Sequence, residues 1–374
     1  MTTFARTDRS VLGRWWWTVD RWTLAAVILL MLSGVVLIMA ASPPVAERIG
    51  ADAFHFVRRH FVFLVPAVGL LLGISLLSPR GVRRAAVMIF VLSVAMLVVT
   101  PIIGNEIKGA RRWISIGAFS LQASEFVKPA FAVVAAWLFA EAKRTPGFPG
   151  YWVSAFLAAM VVALLIWQPD FGMTVTVVTI WGGQLFLAGL PLIFVVGMSV
   201  LGVAGIAAGY FFLPHVTERI DSFLNPASGD NYQIDTAIRA FESGGVLGRG
   251  PGEGIVKDVL PDAHSDFIFA VAGEEFGLLA CLLLLGVFAF IALRGFNRMT
   301  QEKDLFVMLA VAGLLIQFSM QAIVNMAVSL RPVPSTGMTL PFVSYGGSSL
   351  ISVALGMGMM LALTRRRPEH GLSA

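Results

Sequence analysis

Asp262, His264 and Asp266 alternate with other residues in Leu260-Pro261-Asp262-Ala263-His264-Ser265-Asp266, immediately ahead of an apolar run that opens Phe267-Ile268-Phe269-Ala270. A carboxylate in that place could take a proton from a hydroxyl or hold a hard divalent cation. Zinc fits poorly, because the one cysteine, Cys281, lies within the apolar run and no further histidine is paired with His264. If a helix begins near Asp266, then Ala270, Gly273 and Gly277 fall within about 40° of its direction. The acid then heads a groove floored by small residues, which admits either a neighbouring helix or a lipid tail. Glu274, about 80° away, reaches the same face, whereas Glu275 points elsewhere. The competing structural role for Asp266 is the N-cap of the helix that follows.

Other groups stand where charge is costly in a bilayer. Glu125 and Lys128 are three apart on one helix face and can pair, either as a structural ion pair or as the lining of a polar cavity. Arg111 and Arg112 precede Trp113, with Glu106, Lys108 and Gln122 nearby. They either anchor to lipid headgroups or grip a phosphate or pyrophosphate. Asp170, in Gln168-Pro169-Asp170-Phe171-Gly172, reads as a helix cap. The stretch Arg331–Ser349, which contains Ser344 and Tyr345, is too rich in proline and glycine to be helical throughout. Irregular backbone at membrane depth requires protein or a polar cavity around it. The series Gly244, Gly245, Gly248, Gly250, Gly252, Gly254 reads as a flexible turn, since no P-loop Lys-Ser/Thr pair accompanies it.

The elements that must hold these residues follow from composition. Of the 374 residues, 57% are hydrophobic and 13% charged, which excludes an ordinary soluble enzyme, a disordered chain and a disulfide scaffold. The net charge of +5 comes from basic clusters flanking apolar runs, a pattern that orients a chain in a bilayer and gives no reason to expect a nucleic-acid partner. About ten runs are long enough to span: Trp22–Ala41, Phe61–Ser78, Ala85–Ile103, Glu125–Ala142, Trp152–Gln168, Met173–Gly189, Pro191–Leu213, Phe267–Leu293, Leu305–Leu330 and Pro341–Thr364. The predicted class is an all-α polytopic membrane protein forming one domain over 1–374, with about ten transmembrane helices. Lysine and arginine bias puts both termini in the cytoplasm and leaves one large extracytoplasmic loop, 214–265. Within it, Ile234, Ile238 and Phe241 predict an amphipathic helix over Asn231–Ser243 at the membrane surface.

These motifs together resemble the SEDS (shape, elongation, division and sporulation) family of bacterial peptidoglycan glycosyltransferases over nearly the whole chain. The resemblance rests on Gly109-Ala110-Arg111-Arg112-Trp113-Ile114, Ser124-Glu125-x-x-Lys128 after Gln122, Gln168 to Gly172, Asn225-Pro226, the glycine series, Leu260 to Ala270 and Ser344 to Ser349. Gly337-Met338-Thr339-Leu340-Pro341-Phe342 is similar to the division branch more than to the elongation branch, although Thr336 stands where division members commonly carry lysine. The resemblance implies polymerisation of lipid II at the outer face of the bacterial cytoplasmic membrane, at the septum. It implies Asp266 as the essential acid, Arg112 as the conserved arginine, and Glu125 with Lys128 as the conserved pair. The chemistry of pyrophosphate departure calls for Arg112, with Arg111 or Lys108, and for a divalent cation, Mg²⁺ or Mn²⁺, at Asp266. Glu274, His264, Gln122, Ser344 and Tyr345 are expected in support. The partner implied is a class B penicillin-binding protein, an FtsI-like transpeptidase, because no Ser-x-x-Lys with Lys-Thr-Gly is present. A lipid II flippase is the alternative, since spans carrying Glu125, Lys128 and Glu274 also suit a translocation path.

Overall fold

In the computed structural model, the described residues are 10–107, 110–117, 119–189, 232–333 and 337–366, with isolated positions between 193 and 221. The chain there is a helical bundle: α1 (Val11–Thr18), α2 (Arg21–Arg48), α3 (His55–Ser75), α4 (Pro79–Ile103), α5 (Ala123–Arg144), α6 (Gly150–Trp167), α7 (Phe171–Leu187), α8 (Tyr232–Gly244), α9 (Ile268–Thr300), α10 (Leu305–Ser329) and α11 (Gly347–Leu363). Seven of these helices are long and apolar enough to cross a membrane, and α7 and α11 are shorter apolar helices. The predicted span Pro191–Leu213 and the first part of the predicted 214–265 loop lie outside the described residues, apart from isolated positions.

The starts are set by local chemistry. Asp20 caps α2 through the N–H of Trp22 (3.2 Å), Ser78 caps α4 ahead of Pro79, and Asp304 caps α10 through the N–H of Phe306 (2.9 Å). Helix α5 is buried on nearly every side and lies at the centre; its Ala130, Ala132, Ala135 and Ala136 are wholly buried and let neighbouring backbones approach. It packs on α4, α7, α10 and α11. The peripheral helices instead turn apolar side chains outward, such as Leu32 on α2, Val65 on α3, Leu92 on α4, Phe156 on α6 and Leu283 on α9. Such a surface is at home in hydrocarbon.

Between α4 and α5 the chain forms a small antiparallel sheet that the all-α expectation did not include, β1 (Asn105–Ile107), β2 (Ala110–Ile116) and β3 (Phe119–Leu121), in the order β1-β2-β3. It caps one end of the bundle. The opposite end gathers Asp20, Arg294, Arg298 and Arg365.

Helix α9 is interrupted. Gly277 sits at φ 75°, ψ −175°, a conformation essentially confined to glycine, and leaves backbone groups on both sides without helical partners. The glycine series fills the gap. The N–H groups of Leu278 and Leu279 donate to the carbonyls of Gly245 (3.0 Å) and Val246 (3.3 Å). The N–H groups of Arg249 and Gly250 donate to the carbonyls of Glu274 (2.9 Å) and Glu275 (3.0 Å). A Cβ on Gly248 would stand 2.2 Å from the Glu275 carbonyl oxygen, so these glycines are a splice across a broken helix rather than the flexible turn expected from sequence.

The small-residue groove is also occupied from within. Helix α8 runs close to the predicted bounds, but it buries Ile234, Ala237 and Ala240 against the protein, and the Phe241 ring packs over Gly273 and Phe269. Its apolar face therefore meets α9 and not lipid, and no lipid tail fits the groove beneath Asp266.

Candidate active site

The sheet, α3, the starts of α5, α7 and α8, and the segments around Asp262–Asp266 and Gly337–Gly347 enclose a cavity of about 820 Å³. It brings together Asp266, His264, Arg112, Gln122, Glu125 and Tyr345 from separate parts of the sequence, and adds Asp262, Asp170 and Arg59. Arg111, Lys128, Glu274 and Ser344 do not line it, and Lys108 lies outside the described residues.

The sheet explains the arginines. Successive strand residues point to opposite faces, so Arg112 turns into the cavity while Arg111 is exposed and pairs with Glu106 at 3.6 Å. Arg111 is thus placed away from the site expected of it. Arg112 is anchored to the start of α7: its Nε donates to the Gln168 carbonyl (3.1 Å) and its Nη2 to that of Pro169. Asp170 caps α7 through the Met173 N–H (3.5 Å) and also accepts from Gln122 Nε2 and Ser124 Oγ, both at 3.2 Å. One turn thereby ties the sheet to α5 and α7. Arg59, near the start of α3, supplies a second guanidinium to the lining. Sequence reasoning counted it only toward membrane orientation, and its place at the site end of an apolar run was the available signal.

Below, Glu125 faces the cavity and pairs with Lys128 at 2.9 Å, both buried. Lys128 Nζ donates on to Gln321 Oε1 (3.3 Å), and Gln321 Nε2 reaches the Thr339 carbonyl (3.1 Å) and Ser349 Oγ (3.2 Å). The pair is therefore structural, and only its Glu125 member lines the cavity. Charges at this depth tolerate burial because each is met by an opposite charge or a hydrogen bond.

The acidic wall is a tight turn. Asp262 adopts φ 52°, its carbonyl accepts from the N–H groups of Ser265 (3.0 Å) and Asp266 (3.1 Å), and α9 begins only at Ile268. Phe267, not Asp266, occupies the cap position of α9. The His264 ring is buried beside Phe56 (4.2 Å between centroids) and Tyr345 (5.3 Å). Burial brings its pKa down to about 4, so at neutral pH the imidazole is uncharged.

Glu274, expected on the cavity face, is instead turned into the loop ahead of it. Its carboxylate accepts from the N–H groups of Ile255 (2.8 Å), Val256 (2.7 Å) and Lys257 (2.8 Å). Glu275 pairs with buried Lys257 and accepts from the N–H groups of Gly252 and Gly254. The projection from Asp266 fails because α9 begins only at Ile268, so Asp266 stands outside its 100° periodicity, and both carboxylates lie under the glycine-rich loop.

The cell cycle protein family that groups FtsW, RodA and SpoVE matches residues 20–369. The chain belongs to that family. A probable peptidoglycan glycosyltransferase FtsW of Caulobacter vibrioides is 45% identical over 98% of this chain and 94% of that protein. One from Saccharophagus degradans is 36% identical over 92% of this chain and 93% of its own length. Among solved structures, a chain of a peptidoglycan synthase complex described as coordinating polymerization and crosslinking superposes with a TM-score of 0.75 at 27% identity, covering 92% of this chain and 97% of that one. Thermus thermophilus RodA, a rod shape determining protein, gives 0.67 at 25% identity, covering 93% and 97%. With its apolar helices, the chain is a multi-pass membrane protein of the SEDS class.

Proposed function

We propose that this chain is a peptidoglycan glycosyltransferase that polymerises lipid II at the outer face of the cytoplasmic membrane during septal wall synthesis. The observation that carries the reading is the single cavity in which Asp266 and two arginines, Arg59 and Arg112, line the same polar space. The reaction joins the 4-hydroxyl oxygen of an acceptor N-acetylglucosamine to the anomeric carbon of a muramic acid. The bond from that carbon to the lipid pyrophosphate breaks, and the hydroxyl proton leaves. Asp266 accepts the proton. Arg112, held rigid by two carbonyls, and Arg59 supply fixed positive charge where the departing pyrophosphate becomes more negative.

Among the described residues no cluster of three or more His, Cys, Asp or Glu has metal-holding geometry. Asp266 and Asp262 on one wall nonetheless fit Mg²⁺ or Mn²⁺ of the kind whose shell is completed by substrate phosphates and water. When bound, such an ion would supply further charge neutralisation for the pyrophosphate. The partner consistent with the synthase complex is a class B penicillin-binding protein supplying crosslinking.

Purified chain given lipid II with Mg²⁺ or Mn²⁺ tests the proposal. Glycan strands on a gel are expected. Movement of lipid II across a vesicle bilayer with no strands would replace this reading with a flippase.

A further inference from the structure

Three consecutive carbonyls of the acidic turn accept hydrogen bonds from outside it. The Tyr345 N–H donates to the His264 carbonyl (2.9 Å), Ser344 Oγ to that of Ser265 (2.6 Å), and Asn325 Nδ2 to that of Asp266 (2.9 Å). Asn325 Nδ2 also donates to the Met338 carbonyl (2.7 Å), and Ser344 Oγ accepts from the Leu340 N–H (2.8 Å). Asn325 thus holds both the acidic turn and the last loop, and it does so from α10, one turn before that helix ends.

Its burial is not explained by packing. Asn325 is 1% exposed, and its Oδ1 has no hydrogen-bond partner among the described residues. An apolar residue of similar size would suit a membrane helix better, because a buried amide satisfied on one side only is unfavourable for folding. The two carbonyls facing it fix the orientation of the amide, since only the nitrogen can donate to them. What the side chain accomplishes lies in those two bonds.

We propose that Asn325 is a positioning residue for Asp266: its amide fixes the backbone from which the Asp266 carboxylate projects and couples that backbone to the Gly337–Gly347 wall of the cavity. The inference rests on the reading of Asp266 as proton acceptor. A carboxylate displaced by about an ångström from its hydroxyl partner slows the chemical step while leaving substrate affinity largely intact.

The test uses the full chain in detergent, with hydrogen–deuterium exchange across 262–267 and lipid II polymerisation measured on Asn325→Ala, Ser344→Ala and Asp266→Ala. Ser329→Ala, which removes a hydroxyl that only meets the Asn325 carbonyl, is the control for helix packing. Asn325→Ala is expected to speed exchange at 264–267 and to lower kcat by about tenfold or more, with KM for lipid II within about twofold and the control near wild type. Unchanged exchange, unchanged kcat, or a loss confined to KM overturns the proposal. Should Asn325→Ala fail to fold, Ser344→Ala reports on the same clamp and must show the same kcat and exchange signature. If Asp266→Ala polymerises at the wild-type rate, the proton-acceptor reading fails, and the exchange result alone decides whether the clamp holds the turn.

Discussion

Arg112 illustrates how a single side chain acquires a role from the element beneath it. Strand alternation turns it inward while Arg111 pairs outward with Glu106, and the Gln168 and Pro169 carbonyls commit two of its nitrogens. A lysine has one point of donation and cannot reproduce that fork. Arg112→Lys is therefore expected to lose roughly 1.5–3 kcal/mol of stability, the range for hydrogen bonds to a charged group, seen as a lower Tm in detergent, together with a reduced polymerisation rate. Arg111→Ala should leave both within about the small range of exposed ion pairs. The adjacency of the two arginines was legible in the sequence, but their divergence was not, because the alternation becomes visible only once Ala110–Ile116 is known to be a strand. Asp266 was legible for a different reason: an acid between a proline-marked turn and a long apolar run is conspicuous in any membrane sequence. Asn325 was not, since one amide in an apolar helix gives no hint of which carbonyls it will meet.

At the scale of elements, the broken α9 governs the site. Gly277 needs a backbone conformation closed to other residues, and a Cβ there would lie 2.4 Å from both the Gly248 nitrogen and the Val246 carbonyl oxygen. Gly277→Ala should cost more than the roughly 1–3 kcal/mol of the backbone strain alone, and the check is loss of monodisperse protein on size exclusion or a sharply lower Tm. Glu275→Gln leaves Lys257 buried without its counter-charge, for which about 3–5 kcal/mol is expected, read from the same melting curve. Periodicity predicted a continuous span from Phe267 to Leu293 because apolar runs lie on both sides of Glu274-Glu275-Phe276-Gly277; a break healed by a loop about thirty residues earlier leaves no periodic trace. The same absence hid the filling of the Gly273 groove by Phe241. By contrast, the predicted spans that fall within described residues are helices, with ends that moved most at Arg48 and Thr300, where the helix runs on past the apolar pattern.

The whole molecule has two chemically distinct ends joined by an apolar bundle. At the end opposite the cavity, buried Asp20 accepts from Arg294 Nε through both oxygens (2.9 and 2.7 Å) and lies 3.5 Å from Arg298, linking the start of α2 to the end of α9. Burial alone would raise the pKa of Asp20, but the hydrogen bond and charge of Arg294, with Arg298, hold it below the usual carboxylate range. Because the folded pKa is the lower one, this link contributes fully above the unfolded carboxylate pKa and is lost as pH falls through the depressed folded value. Wild type should therefore lose Tm in acid below about pH 4, whereas Asp20→Asn should start from a lower Tm at neutral pH and show a shallower acid decline. Thermal melts across pH decide it. The end opposite the cavity carries arginines that the lysine and arginine bias is expected to hold in the cytoplasm.

The most direct test of the central claim is the single-turnover rate of glycan bond formation from lipid II by Asp266→Asn, compared with wild type at matched Tm and saturating substrate. If Asp266 takes the hydroxyl proton, the rate falls by about 10²–10⁴-fold, the range for loss of a general base. A variant that forms strands within about threefold of the wild-type rate would contradict the account.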